Sequence, residues 1–155
     1  NAPGMNAGGS AMVIMSRKKA DKLGLKPLAT IETMAWDAAE PKYMSTLPAK
    51  AIKKALSNIN KDIDDLDLIE INEAFAAVTL VSLKALAEMD AHKYNALQEI
   101  TNVNGGAIAI GHPVGASGAR ITMTLMYELM RRGGGCGVAA ICGGLGQGES
   151  IILQV

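Results

Sequence analysis

The chain has 155 residues, 15 basic and 15 acidic side chains, no formal net charge and 49% hydrophobic residues, enough for one domain with a sizeable core. Balanced charge argues against a general polyanion binder, and 3% aromatic residues are too few for base-stacking platforms. No apolar run is long enough to span a bilayer and no charged-then-apolar leader opens the chain, so a soluble cytoplasmic domain is expected; Asn1 at the first position suggests a fragment or a processed product.

In chain order, SAMVIMS (Ser10–Ser16) is short and apolar and reads as a strand. RKKADKLG reads as a short helix capped by Gly24, and LATIETMAWD as a second strand. PAKAIKKALSNI places Pro48 at a helix start and repeats apolar residues at Ala51, Ile52, Ala55, Leu56 and Ile59. Lys50, Lys53 and Lys54 fall on its other face, a solvated face with phosphate contact as the weaker alternative.

DLDLIEINE (Asp65–Glu73) reads as a strand, and EAFAAVTLVSLKALAEM as a helix apolar nearly all round and therefore buried on most sides. MDAHKYNALQE (Met89–Glu99) reads as an exposed loop. GARITMTLMYELMRR is a second apolar helix, with Arg131 and Arg132 suited to its negative end. GVAAIC and ESIILQV are strands joined as a hairpin by GGLGQG. The expectation is an α/β domain over residues 1–155, a mixed five-stranded sheet with helices on both faces.

Cys136 and Cys142 share one strand, where six residues span roughly 20 Å. A disulfide needs Cα atoms within about 7 Å, so they cannot pair, and two cysteines at this spacing make no zinc site. Several motif matches fail. DIDDLDLIEINE starts at calcium-loop spacing but has Leu66 and Asp67 where a ligand and a glycine belong. GGLGQG precedes a strand rather than a helix, and GASGA lacks the serine-elbow spacing, so Ser117 reads as a helix cap.

Three polar residues remain. Asn72 ends a strand and opens a helix. His112 sits in NGGAIAIGHPVGASGAR (Asn104–Arg120), a stretch of small residues that lets something approach the backbone. Cys142 ends a strand before a glycine turn. Ligands collect at the carboxyl ends of strands in α/β sheets, and a thiol with an imidazole can do nucleophilic or acid–base chemistry. Adjacent backbone N–H groups can meet a developing oxyanion. The alternative is a core cysteine, a satisfied loop histidine and a capping asparagine. Cys136 reads as structural and His92 as a surface residue.

NEAFAA (Asn72–Ala77), NVNGGAIAIGHPVGASGAR (Asn102–Arg120) and CGG (Cys142–Gly144), in that order, resemble the asparagine, Gly-His-Pro and Cys-x-Gly motifs of the thiolases. NAPGMNAGGSAMVIMS resembles the family's strand entry after its CoA-covering loop. The resemblance is to the C-terminal part of the family's chain. It implies that the nucleophilic cysteine lies on an N-terminal half outside this sequence, since neither cysteine here stands in its context. Ala7 replaces the family's usual aspartate, MSTLP (Met44–Pro48) replaces a more glycine-rich stretch, and Pro3 falls where some members have serine.

The resemblance implies a function: acetyl transfer between CoA thioesters, by condensation of two acetyl-CoA or thiolysis of 3-ketoacyl-CoA. CoA thioesters are substrates and no further cofactor is implied. His112 would activate the absent nucleophile and point an N–H at the thioester oxygen. Asn72 would hold a water completing that oxyanion hole. Cys142 would be the acid–base, Gly144 N–H part of a second oxyanion hole, and Ala74, Phe75 and Pro3 neighbours of the acyl-pantetheine. A thiol near 8.5 needs only a modest downward shift for this work, which a histidine and nearby dipoles could give. The expected partner is the N-terminal half, in cis or trans, and the complete protein is expected to be a homodimer or homotetramer, with no nucleic-acid or membrane partner. Alone, the chain is expected to be inactive and to self-associate through exposed apolar surface. The rivals are a ketoacyl synthase, against which Cys142 argues, and a non-catalytic acyl-CoA-binding or structural subunit.

Overall fold

A computed structural model describes all residues, 1–155. The elements in order are α1 (Arg17–Lys22), β1 (Thr30–Ala38), α2 (Leu47–Asn58), β2 (Leu68–Ile71), α3 (Ala76–Leu86), α4 (Ala91–Glu99), α5 (Ala107–Ile110), α6 (Val114–Arg131), β3 (Cys136–Gly143) and β4 (Gln147–Gln154). The strands form one sheet in the order β1-β4-β3-β2. β4 runs antiparallel to both β1 and β3, whereas β2 is parallel to β3.

Helices cover both faces, as the alternating pattern implied. Ile52, Leu56, Val78, Leu83 and Leu86 from α2 and α3 pack against Ile69, Ile71, Val138 and Ile152 of the sheet. On the other face, Ile121, Leu125 and Leu129 of α6 pack against Leu68, Ala139 and Leu153. Alternation along β2 and β3 sends neighbouring side chains into these two separate layers. α1 ends as its sequence predicts: Gly24 adopts φ +66°, and Leu25 N–H returns to Ala20 O at 3.0 Å.

The sheet has four strands, not five. Ser10–Ser16 forms no strand, and Val13 and Ile14 are exposed. Its apolar run demands burial, but a strand also needs a hydrogen-bonding partner, and Ser10–Ser16 pairs with none of the four strands. The outer edge of β2 is already used: Ile69 bridges Thr101, and the Asn102 side chain bonds both backbone groups of Ile71. β2 is also shorter than the nine residues expected: a 3-10 turn over Ile63–Asp65 precedes it, and the strand ends at Ile71, before Asn72.

One helix expectation is refined and one is corrected. α3 is buried or half-buried on most of its surface, but Ala77, Leu80 and Lys84 form one exposed stripe that its all-round apolar sequence did not predict. Met89–Glu99 is not a loop but contains α4, whose Asp90 carboxylate accepts from Lys93 N–H at 2.7 Å. Its polar composition hides a single buried anchor, Leu97. No helix is long and apolar enough to cross a membrane.

Candidate active site

Asn72, His112 and Cys142 reach the site from three different elements. Asn72 follows β2 and keeps its ladder position, donating its backbone N–H to Ala140 O at 2.9 Å. Cys142 is the penultimate residue of β3, just before the Gly144–Gly146 turn. His112 stands between α5 and α6. The preceding Gly111 adopts φ +97°, a left-handed conformation, and a side chain there would collide with Asn6. His112 N–H donates to Gly4 O at 3.0 Å, so the amino-terminal segment braces this corner. The same segment ties Asn1 O to Ala76 N–H at 2.9 Å.

The imidazole is held at both nitrogens. Nδ1 lies 2.6 Å from Ser117 Oγ, and Ser117 Oγ donates to Pro113 O at 3.2 Å. A hydroxyl has one proton; given to Pro113 O, it leaves a lone pair to accept from Nδ1–H. Nε2 then carries its lone pair, facing Asn72 Nδ2 at 3.4 Å. Asn72 Oδ1 accepts from Arg120 Nη2 at 3.5 Å. Burial and the Arg120 charge push the His112 pKa below its ordinary value, so the ring is a neutral base near neutrality.

His112 and Cys142 line one cleft of about 380 Å³, with Ala74, Phe75, Gly143 and Gly144. Asn72 lies beneath its floor, 1% exposed. Pro3 does not line this cleft; it sits between the two tethers of the amino-terminal segment. Met44, Val114, Ile141, Gln147 and Glu149 complete the lining and carried no signal in the sequence. A second cleft, of about 370 Å³, is lined by Tyr43, Thr46, Ala49, Lys50, Lys53 and Ala85 and holds neither thiol nor imidazole. The lysine face is solvated, with Lys53 paired to Glu88 at 2.9 Å.

Two site expectations are corrected. The Cys142 pKa is not lowered: burial pushes it above the ordinary thiol value, only partly opposed by a backbone hydrogen bond. Ser117 is not a helix cap, because α6 begins at Val114 and Ser117 sits one turn inside it, facing His112. Its bond to His112 and that of Arg120 to Asn72 were missed: both residues fall inside the quoted Asn102–Arg120 stretch, but nothing in its spacing marks these partners. Cys136 and Cys142 are both buried free thiols, with Cys136 accepting from Lys61 Nζ at 3.3 Å. His92 is exposed.

A family profile described as "Thiolase, C-terminal domain" matches residues 25–155. An acetyl-CoA acetyltransferase of Syntrophomonas wolfei is 46% identical over 154 residues, covering 99% of this chain and 37% of its own. A 3-ketoacyl-CoA thiolase of Aliivibrio salmonicida is 46% identical over 150 residues, covering 97% of this chain and 38% of its own. The chain therefore spans little more than a third of these relatives. Among solved structures, the acetyl-CoA acetyltransferase of Bacillus anthracis superposes with a TM-score of 0.81 at 43% identity, covering 90% of this chain and 34% of that one. Human mitochondrial 3-ketoacyl-CoA thiolase gives 0.81 at 42% identity, over 90% of this chain and 33% of its own.

Proposed function

The chain belongs to the thiolase family, and from that premise we propose that residues 1–155 are its C-terminal domain and supply half of an acetyl-transferring active site. The substrates are CoA thioesters: two acetyl-CoA in condensation, or a 3-ketoacyl-CoA and CoA in thiolysis. The observation that carries this reading is the meeting of His112 and Cys142 in one cleft, with Asn72 against the imidazole.

In this reading, neutral His112 takes the proton of a cysteine thiol on the N-terminal half, in cis or in trans. The resulting Nε2–H faces another donor at Asn72 Nδ2, so it turns to the thioester oxygen as negative charge develops there. Asn72 Nδ2 is then free to hold a water beside the same oxygen. Cys142 removes the α-proton of the second acetyl group in condensation and returns a proton in thiolysis. Gly144 N–H contributes to a second oxyanion hole. Ala74 and Phe75 border the acyl-pantetheine; Pro3, which does not line the cleft, is left without a substrate contact.

The raised thiol suits the acid direction and makes the base direction dependent on alkaline pH. A cytoplasmic setting fits two free thiols. Association as a homodimer or homotetramer fits the exposed Met34 and Trp36 on β1. The test is Cys142→Ala in the assembled enzyme: thiolysis is lost, while acetyl-CoA still acylates the nucleophile. Normal turnover by this variant would overturn the role.

A further inference from the structure

Arg120 donates to the Oδ1 end of the Asn72 amide, whose Nδ2 end faces His112. It projects from α6 toward the sheet layer that holds Leu68, Ile121, Leu125 and Leu129. Glu70, between Ile69 and Ile71, faces the same layer and is 3% exposed. Glu70 Oε2 and Arg120 Nε are both buried without a hydrogen-bond partner. The carboxyl group is thus a buried countercharge to the guanidinium rather than a direct ion-pair partner. Burial drives its pKa up to about 7, and the Arg120 charge opposes that rise.

An amide has two ends of equal shape and opposite hydrogen-bonding sense, so its surroundings decide which way it points. Guanidinium can only donate; therefore only Asn72 Oδ1 can face Arg120. Nδ2 is left to donate to His112 Nε2, which must accept. Nδ1 must then carry the ring proton and donate to Ser117 Oγ, whose own proton goes to Pro113 O. The sequence of bonds is directional from end to end, with a pure donor at one end and a pure acceptor at the other.

We propose that Arg120 is a positioning residue that sets the tautomer of His112 by fixing the orientation of the Asn72 amide. It leaves the basic lone pair on Nε2, the nitrogen the reaction uses. The inference rests on the reading of Asn72 and His112 as parts of the active site, and it adds a residue no motif reading had assigned.

The experiment is a double-mutant cycle in the assembled enzyme, read as kcat and KM separately. Asn72→Ala and Arg120→Gln are each expected to lower kcat, Arg120→Gln by about 10²-fold with KM little changed. The double variant is expected to be no slower than Asn72→Ala alone. Arg120→Lys, still a pure donor, is expected to restore most of the loss seen in Arg120→Gln. Fully additive losses would overturn the inference and leave the site reading standing. A wild-type kcat for Asn72→Ala would overturn the site reading itself. Should Arg120→Gln fail to fold, the imidazole 15N shifts of His112 are compared between the unmodified enzyme and Asn72→Ala. A proton on Nδ1 in the unmodified enzyme that is partly lost in Asn72→Ala supports the inference; an Nδ1 proton equally held in both, or a proton on Nε2 in the unmodified enzyme, overturns it.

Discussion

His112 Nδ1 lies 2.6 Å from Ser117 Oγ, five residues along the chain and one turn inside α6. The helix that follows the histidine therefore also orients it. Ser117 is fully buried, so its hydroxyl has no water to substitute for the ring.

Removing that hydroxyl frees the imidazole to rotate and to change tautomer. Ser117→Ala is expected to lower kcat by about 10²-fold with a smaller effect on KM. Steady-state kinetics on the assembled enzyme checks this. An unchanged kcat would show that the ring is held by Asn72 alone.

Gly111 is required by its own backbone. Its φ of +97° strains any side chain, and a Cβ there would also have to displace the exposed Asn6 side chain. Gly111→Ala is expected to cost about 1–3 kcal/mol in backbone strain, before the clash is counted. Because His112 N–H is bonded to Gly4 on the same braced segment, activity should fall more than stability does. Denaturant unfolding beside kcat measures the two effects.

Two carboxyl groups, Glu70 beneath α6 and Glu128 on it, give stability opposite dependences on pH. Glu70 has its folded pKa raised from 4.5 to about 7 by burial, so the folded chain holds a proton that the unfolded chain gives up. Its contribution is unfavourable and grows as pH rises from 4.5 to 7, by about 3 kcal/mol. Glu128 is held down at about 2 by hydrogen bonds from Arg131, Arg132 and Asn104. Its contribution is favourable above 4.5 and is lost as pH falls through 2. Glu70→Gln is expected to raise stability at pH 8 and change little at pH 4. Glu128→Gln is expected to lower stability at pH 8 and change little at pH 2. Unfolding curves across that range check both.

Cys142 starts above the ordinary thiol value because it is buried. Condensation needs its thiolate, so the condensation rate is expected to keep rising with pH beyond the ordinary thiol range. The delivery of a proton in thiolysis needs the thiol and is expected to fall over the same range. The two profiles, measured on one preparation, should diverge. Parallel profiles would assign the proton transfers to another group.

Much of this arrangement was legible in the sequence. The helical period in α2, the glycine after α1 and the closing hairpin each have a local cause, and each appears where expected. Asn72, His112 and Cys142 stood out because polar residues at strand ends and tight loops are few in an apolar chain. Ser10–Ser16 was misread because apolarity reports a need for burial, not a partner edge. α4 was missed because a helix anchored by Leu97 alone leaves little apolar period. Arg120 and Ser117 stayed hidden for another reason. Their partners lie across a helix–sheet layer or one helical turn away, and nothing in their spacing marks a hydrogen bond.

The most direct test of the central claim is solvent exchange. The assembled enzyme and its Cys142→Ala variant are each incubated with acetyl-CoA in deuterated water, and both the acetyl-enzyme and deuterium at the acetyl carbon are measured by mass. Acylation by both proteins, with exchange lost only in Cys142→Ala, is the predicted result. Exchange at the unmodified rate in Cys142→Ala would contradict the assignment of Cys142 as the acid–base. Failure of the unmodified protein to acylate would favour a non-catalytic acyl-CoA-binding subunit.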